Sequence, residues 1–191
     1  MNANTAIADA AAPALPARPR YNGVAIAFHW LLALMILGAL GVGWYMTGLS
    51  MSPTRLKLYN WHKWAGVTIL VLSAARLLWR LRHQPPADAP GPRWQQQAAS
   101  WTHRLLYALF FAVPLAGWAY SSAAGFPVVW FGVLPLPDFV SPDKALAESL
   151  KGLHKLLAYG LASLVVLHVA AALKHHFVDR DGLLHRMRPG R

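Results

Sequence analysis

Four apolar runs, each long enough to cross a bilayer, dominate this sequence and leave few folds open to it. A span needs roughly 20 apolar residues. The runs cover about 23–46 (GVAIAFHWLLALMILGALGVGWYM), 59–81 (YNWHKWAGVTILVLSAARLLWRL), 101–122 (WTHRLLYALFFAVPLAGWAYSS) and 150–173 (LKGLHKLLAYGLASLVVLHVAAAL). In lipid every backbone polar group must be satisfied within the chain, so spans of this length are helices. The expectation is an all-α integral membrane four-helix bundle. Residues 1–22 form a disordered, cytoplasmic Ala- and Pro-rich tail, 23–174 the transmembrane domain and 175–191 a basic cytoplasmic tail amphipathic enough to rest on a membrane surface. Pro114 is expected to kink the third helix.

The segment 123–149 is apolar but broken by Pro127, Pro135, Pro137 and Pro142. Such a run cannot be a fifth span, and we read it as a loop folded over one end of the bundle. Cysteine is absent, which excludes disulfides, cysteine-bound iron–sulfur clusters, thiol nucleophiles and covalent Cys-x-x-Cys attachment of a porphyrin.

The formal charge is +11, but the basic residues lie between apolar runs rather than on one stripe. This pattern sets topology and gives no nucleic-acid surface. The amino tail, second connection and carboxyl tail, with adjoining helix ends, carry twelve Lys and Arg. The opposite side carries six: Arg55, Lys57, Lys63, Lys144, Lys151 and Lys155. Both termini are therefore expected in the cytoplasm, the chain being a multi-pass membrane protein.

Nine histidines are present, and those within spans are functional candidates because a polar ring in lipid is costly. His83, His175, His176 and His185 fall in loops or tails and read as solvated. His103 begins the third helix and reads as interfacial. His29, His62, His154 and His168 remain. His154 and His168 are 14 residues apart, a rise of roughly 21 Å with a net turn of about −40°, so one helix face presents a histidine near each surface. Depth pairs His29 with His168 at the cytoplasmic end, and His62 with His154 at the outer end. Two neutral imidazoles on opposite faces of an iron porphyrin suit a low-dielectric core and leave the iron no position for substrate, so its task is electron transfer. Spacing alone leaves helix packing through small residues equally open. Gly38, Gly41, Gly43, Gly66 and Gly160 fit either use. Arg76, 14 residues after His62, is placed to pair with propionates of an inner haem; Arg80, one turn on, serves either that or topology.

The chain resembles the bacterial cytochrome b561 family. The resemblance rests on FHWLL around His29, WHKWAG around His62 followed by ARLLWRL, HRLLYALFFAVPLAGW, the loop GFPVVWFGVLPLP, and the last span through LHVAAALKHHFVDRDGLLHRMRP. It covers nearly everything after residue 20. It implies a four-helix cytochrome with two non-covalent haem b groups on His29, His62, His154 and His168. The resemblance does not fix the electron donor; the overall length and carboxyl tail are similar to those of a member that takes electrons from periplasmic superoxide and passes them to ubiquinone, which implies an oxidoreductase of that kind. Lys57, Lys63, Lys144, Lys151 and Lys155 would steer the anion, partly offset by Asp138, Asp143 and Glu148. Arg76, Trp79 and Tyr21 are candidates for a quinone site. The alternative is a cytochrome b carrier that links the quinone pool to a partner dehydrogenase or reductase protein. A histidine-based metal enzyme or ion pathway fits poorly, because every Asp and Glu lies in a loop or tail.

Overall fold

The computed structural model describes residues 20–87 and 91–190; the expectation for a disordered amino tail falls largely outside that range. Four helices long and apolar enough to cross a membrane make up most of it. They are α1 (Gly23–Thr47), α2 (Pro53–Arg82), α3 (Arg93–Ala123) and α4 (Lys144–Lys174). Each of three starts on a side-chain cap: Asn22 accepts from Ala25 N–H, Ser52 from Arg55 N–H and Asp143 from Leu146 N–H. Pro114 lies inside α3.

Three helices begin earlier than their apolar runs. Pro53 opens α2 at a position where its missing N–H costs nothing. RWQQQAAS extends α3 by Gln and Ala, good helix formers outside the apolar stretch, and α4 starts at Lys144 rather than near Leu150. Hydropathy marks what sits in lipid; the helix itself runs on into water.

The outward faces are apolar. Leu34, Leu156, Val166 and Leu167 are each more than 60% exposed, which suits hydrocarbon as the solvent. The interior is narrow, with Ile36, Ile69, Phe110 and Leu161 buried at its centre. These four residues belong to a register shared by all four helices. Steps of seven residues give His29, Ile36 and Gly43 on α1, and His62, Ile69 and Arg76 on α2. They give His103, Phe110 and Gly117 on α3, and His154, Leu161 and His168 on α4. Each step is a rise of roughly 10.5 Å with only about −20° of drift, so three layers stack along the bundle. The middle layer is wholly hydrocarbon; the histidines occupy the other two.

The connection between α3 and α4 folds over one end of the bundle, as expected. Its strands β1 (Val129–Trp130) and β2 (Leu134–Pro135) pair antiparallel around Phe131 and Gly132, both at positive φ. Phe131 packs against Trp64 and Trp130, with ring centres 5.7 and 5.2 Å apart. Trp64 Nε1 donates to Val129 O at 2.6 Å, and Trp130 Nε1 to Thr68 Oγ1 at 3.2 Å. Lys63 Nζ donates to Ser121 Oγ (3.3 Å) and to the carbonyls of Phe126 (3.4 Å) and Pro127 (3.1 Å). Lys63 thus anchors the hairpin to α2. Lys63→Met is expected to remove charge-assisted bonds worth about 1.5–3 kcal/mol and to lower the melting temperature in detergent. An unchanged melting temperature would show that the hairpin holds without it.

The start of α1 and the residue before its cap meet the carboxyl segment at the other end of the bundle. Tyr21 N–H donates to Arg186 O (3.3 Å), Trp30 Nε1 to Met187 O (2.7 Å) and Arg20 Nη2 to Arg188 O (2.6 Å). The carboxyl segment, a π turn (His175–Asp179) and a 3-10 turn (Leu183–Met187), is therefore tied to the start of α1.

Candidate haem centres

His62 and His154 face each other across the bundle, their ring centres 6.2 Å apart. Two structural details position His154. Its Nδ1–H donates to the carbonyl of Val113, next to the α3 proline, at 2.9 Å. That bond selects the tautomer with a free lone pair on Nε2, the form that ligates a metal, and holds the ring in place. Gly117 provides the space: a Cβ there would lie 2.9 Å from His154 Cε1 and 3.0 Å from Nδ1. Gly43 does the same for His62, where a Cβ would lie 3.0 Å from Cε1. His62 Nδ1 is itself buried without a hydrogen-bond partner. A cleft among the helices runs between the two rings, walled by Ile36, Ile69, Phe110 and Leu161.

At the opposite end His29 and His168 stand at the same separation, 6.2 Å. Here the surroundings are cationic and crowded. Arg76 Nη2 lies 3.4 Å from His29 Nδ1. The guanidinium groups of Arg76 and Arg80 lie 5.5 and 5.6 Å from the Tyr107 ring centre. His103, read from the sequence as interfacial, lies 5.5 Å from His168, inside this cluster. The seven-residue step from His103 to Phe110 and Gly117 is the signal that would have found it.

Both pairs match what an iron needs. With metal–imidazole bonds of roughly 2 Å, two opposed rings have centres about 6 Å apart. The orphaned nitrogen of His62 and the oriented Nε2 of His154, both lining one apolar cleft, are the donor set that would hold a flat hydrophobic macrocycle by its iron.

The other candidates separate. Gly66 stands 3.9 Å from Pro114 Cβ, while Gly38, Gly41 and Gly160 meet nothing within 4 Å, so only Gly43 and Gly66 of the glycines considered serve close approach. Lys57 and Lys155 are exposed at the His62–His154 end, whereas Lys151 pairs with Glu148 at 3.2 Å and Lys63 is occupied by the hairpin. Trp79 Nε1 donates to Asn22 Oδ1 (3.2 Å), which joins the end of α2 to the start of α1 beside Tyr21.

Comparison with known proteins places the chain in a family. The profile of the family described as prokaryotic cytochrome b561 matches residues 20–190. "Cytochrome b561 homolog 2" of Escherichia coli K12 is 35% identical over 170 residues, covering 88% of this chain and 90% of the relative. "Cytochrome b561 homolog 1" of the same organism is 33% identical over 179 residues, covering 90% and 98%. A "Probable superoxide oxidase CybB" of Yersinia pestis is 31% identical over 174 residues, covering 89% and 96%.

Proposed function

The chain belongs to the prokaryotic cytochrome b561 family, a membrane haem protein of electron transfer, and on that premise we propose that it carries electrons between two b haems, one in each histidine layer. The observation that carries this reading is the repetition of one 6.2 Å imidazole separation at both ends of the bundle. A haem held by two imidazoles supplies an iron that takes up and releases one electron without binding substrate. The chain does the rest. His62 and His154 hold the outer group, with Val113 O fixing the His154 ring, and His29 and His168 hold the inner one. Arg76 and Arg80 neutralise propionates of the inner group. Ile36, Ile69, Phe110 and Leu161 keep a dry layer between the two sites, where water would otherwise compete for the ring nitrogens.

The termini lie in the cytoplasm of a bacterium, with the chain in the inner membrane; the twelve-to-six split of Lys and Arg supports this. The reaction is oxidation of periplasmic superoxide with reduction of ubiquinone. Two superoxide anions each give up one electron and leave as O2, and the quinone takes both electrons and two protons to become quinol. Two features support this choice: the name borne by the Yersinia pestis relative, and exposed Lys57 and Lys155 at the outer end, which attract a small anion.

Rapid mixing of the oxidised protein with superoxide tests the reading. Reduced-haem bands are expected to appear faster than in a control b-type cytochrome, to vanish when superoxide dismutase is present, and to decay on addition of ubiquinone. Reduction no faster than the control would sink the superoxide assignment and leave a carrier that serves a partner protein.

A further inference from the structure

We propose that Arg55 binds the anionic propionate edge of the outer haem, an inference that rests on the two-haem reading above. Arg55 lies seven residues before His62, so it stands roughly 10.5 Å further out on the same face of α2. The α2 register thus reads arginine, histidine, isoleucine, arginine, with Arg76 beside the inner pair and Arg55 beyond the outer one.

The guanidinium of Arg55 is set up for an anion but has none beside it among the described residues. It is partly buried, with Nη1 donating to Leu49 O at 2.8 Å and Nη2 to Tyr59 Oη at 3.3 Å. Its Nε is buried with no hydrogen-bond partner. No carboxylate among the described residues pairs with it. The first turn of α2 also contains no acidic residue, so this cation sits unneutralised at the positive end of a helix dipole. A partly buried, half-satisfied guanidinium in that position is costly, and a carboxylate removes the cost by accepting from the fork. The same register places Ala147, a small buried side chain on α4, level with Arg55. A haem held by His62 and His154 has two carboxylates to offer at that level.

Two variants of the full-length haem-loaded protein test this, each read by redox titration and by the rate of haem transfer to apomyoglobin. Arg55→Gln removes the positive charge that favours the reduced haem. The outer haem's reduction equilibrium is expected to move about tenfold toward the oxidised form, which is 59 mV for one electron. The inner haem should not move, and the outer haem should transfer faster. The outer haem is identified as the one missing from His154→Ala. Arg55→Lys keeps the charge but loses the fork; its potential should stay within about threefold of wild type while outer-haem transfer speeds at least threefold. Arg55→Gln with both measures unchanged, or with the shift in the inner haem, overturns the assignment. Should Arg55→Gln not accumulate, unchanged transfer from Arg55→Lys overturns it. A wild-type protein with fewer than two haems fails the parent reading before any variant is compared.

Discussion

His154→Ala is expected to yield a protein with one haem in place of two, its b-type absorbance about half that of wild type. The outer layer offers a haem two ligands, His62 and His154, and faces them with glycines at positions 43 and 117. Glycine cannot substitute for a missing ligand. The Val113 carbonyl that orients His154 would lose its donor as well. The inner pair lies 14 residues away along α4, roughly 21 Å, behind the hydrocarbon layer of Ile36, Ile69, Phe110 and Leu161, so it should be untouched. His168→Ala is expected to do the reverse, removing the inner haem and leaving the outer. Haem counted as the pyridine complex, with the spectrum of the survivor, gives the result. Two haems in both variants would rule out the pairing. Loss of both haems from each would mean that the bundle collapses as a unit rather than holding two independent centres.

The pairing was legible in the sequence because depth in a membrane is nearly one-dimensional. A histidine's distance from the end of its span fixes its layer, and antiparallel helices alternate direction, so depth pairs His29 with His168 and His62 with His154 once His103 is read as interfacial. The structure places both pairs together. What surrounds the rings was less legible, since that depends on rotation as well as depth. Gly38, Gly41, Gly43 and Gly160 look alike as small residues in spans, yet only Gly43 of these four meets another side chain. Gly117 escaped notice within an aromatic-rich helix. His103 was read by its position near a helix start, although its seven-residue step to Phe110 aligns it with the buried face. Lys63 looked like any other outer cation; its capture by Ser121, Phe126 and Pro127 depends on a loop fold that hydropathy does not encode.

Gly117→Ala is expected to weaken outer-haem binding by about 10- to 100-fold, the usual loss when the group orienting a metal-bound histidine is disturbed. The added methyl would lie 2.9 Å from His154 Cε1 and 3.0 Å from Nδ1, closer than carbon atoms tolerate. The ring must move away from α3, and moving it breaks the bond to Val113 O on that same helix. Gly43→Ala should be milder. Its methyl would lie 3.0 Å from His62 Cε1 and 3.5 Å from Nδ1, a looser contact than the one at Gly117. Gly160→Ala has open space around it and should leave haem content unchanged, while favouring the helix by about 0.5–1 kcal/mol. The order of haem retention, Gly160→Ala above Gly43→Ala above Gly117→Ala, separates steric positioning of the rings from a general effect of filling glycines in a membrane helix. A general effect would strike all three alike. Retention of the outer haem by Gly117→Ala at wild-type affinity would show that the contact between α3 and His154 does not position the ligand, while the histidine pairing would stand.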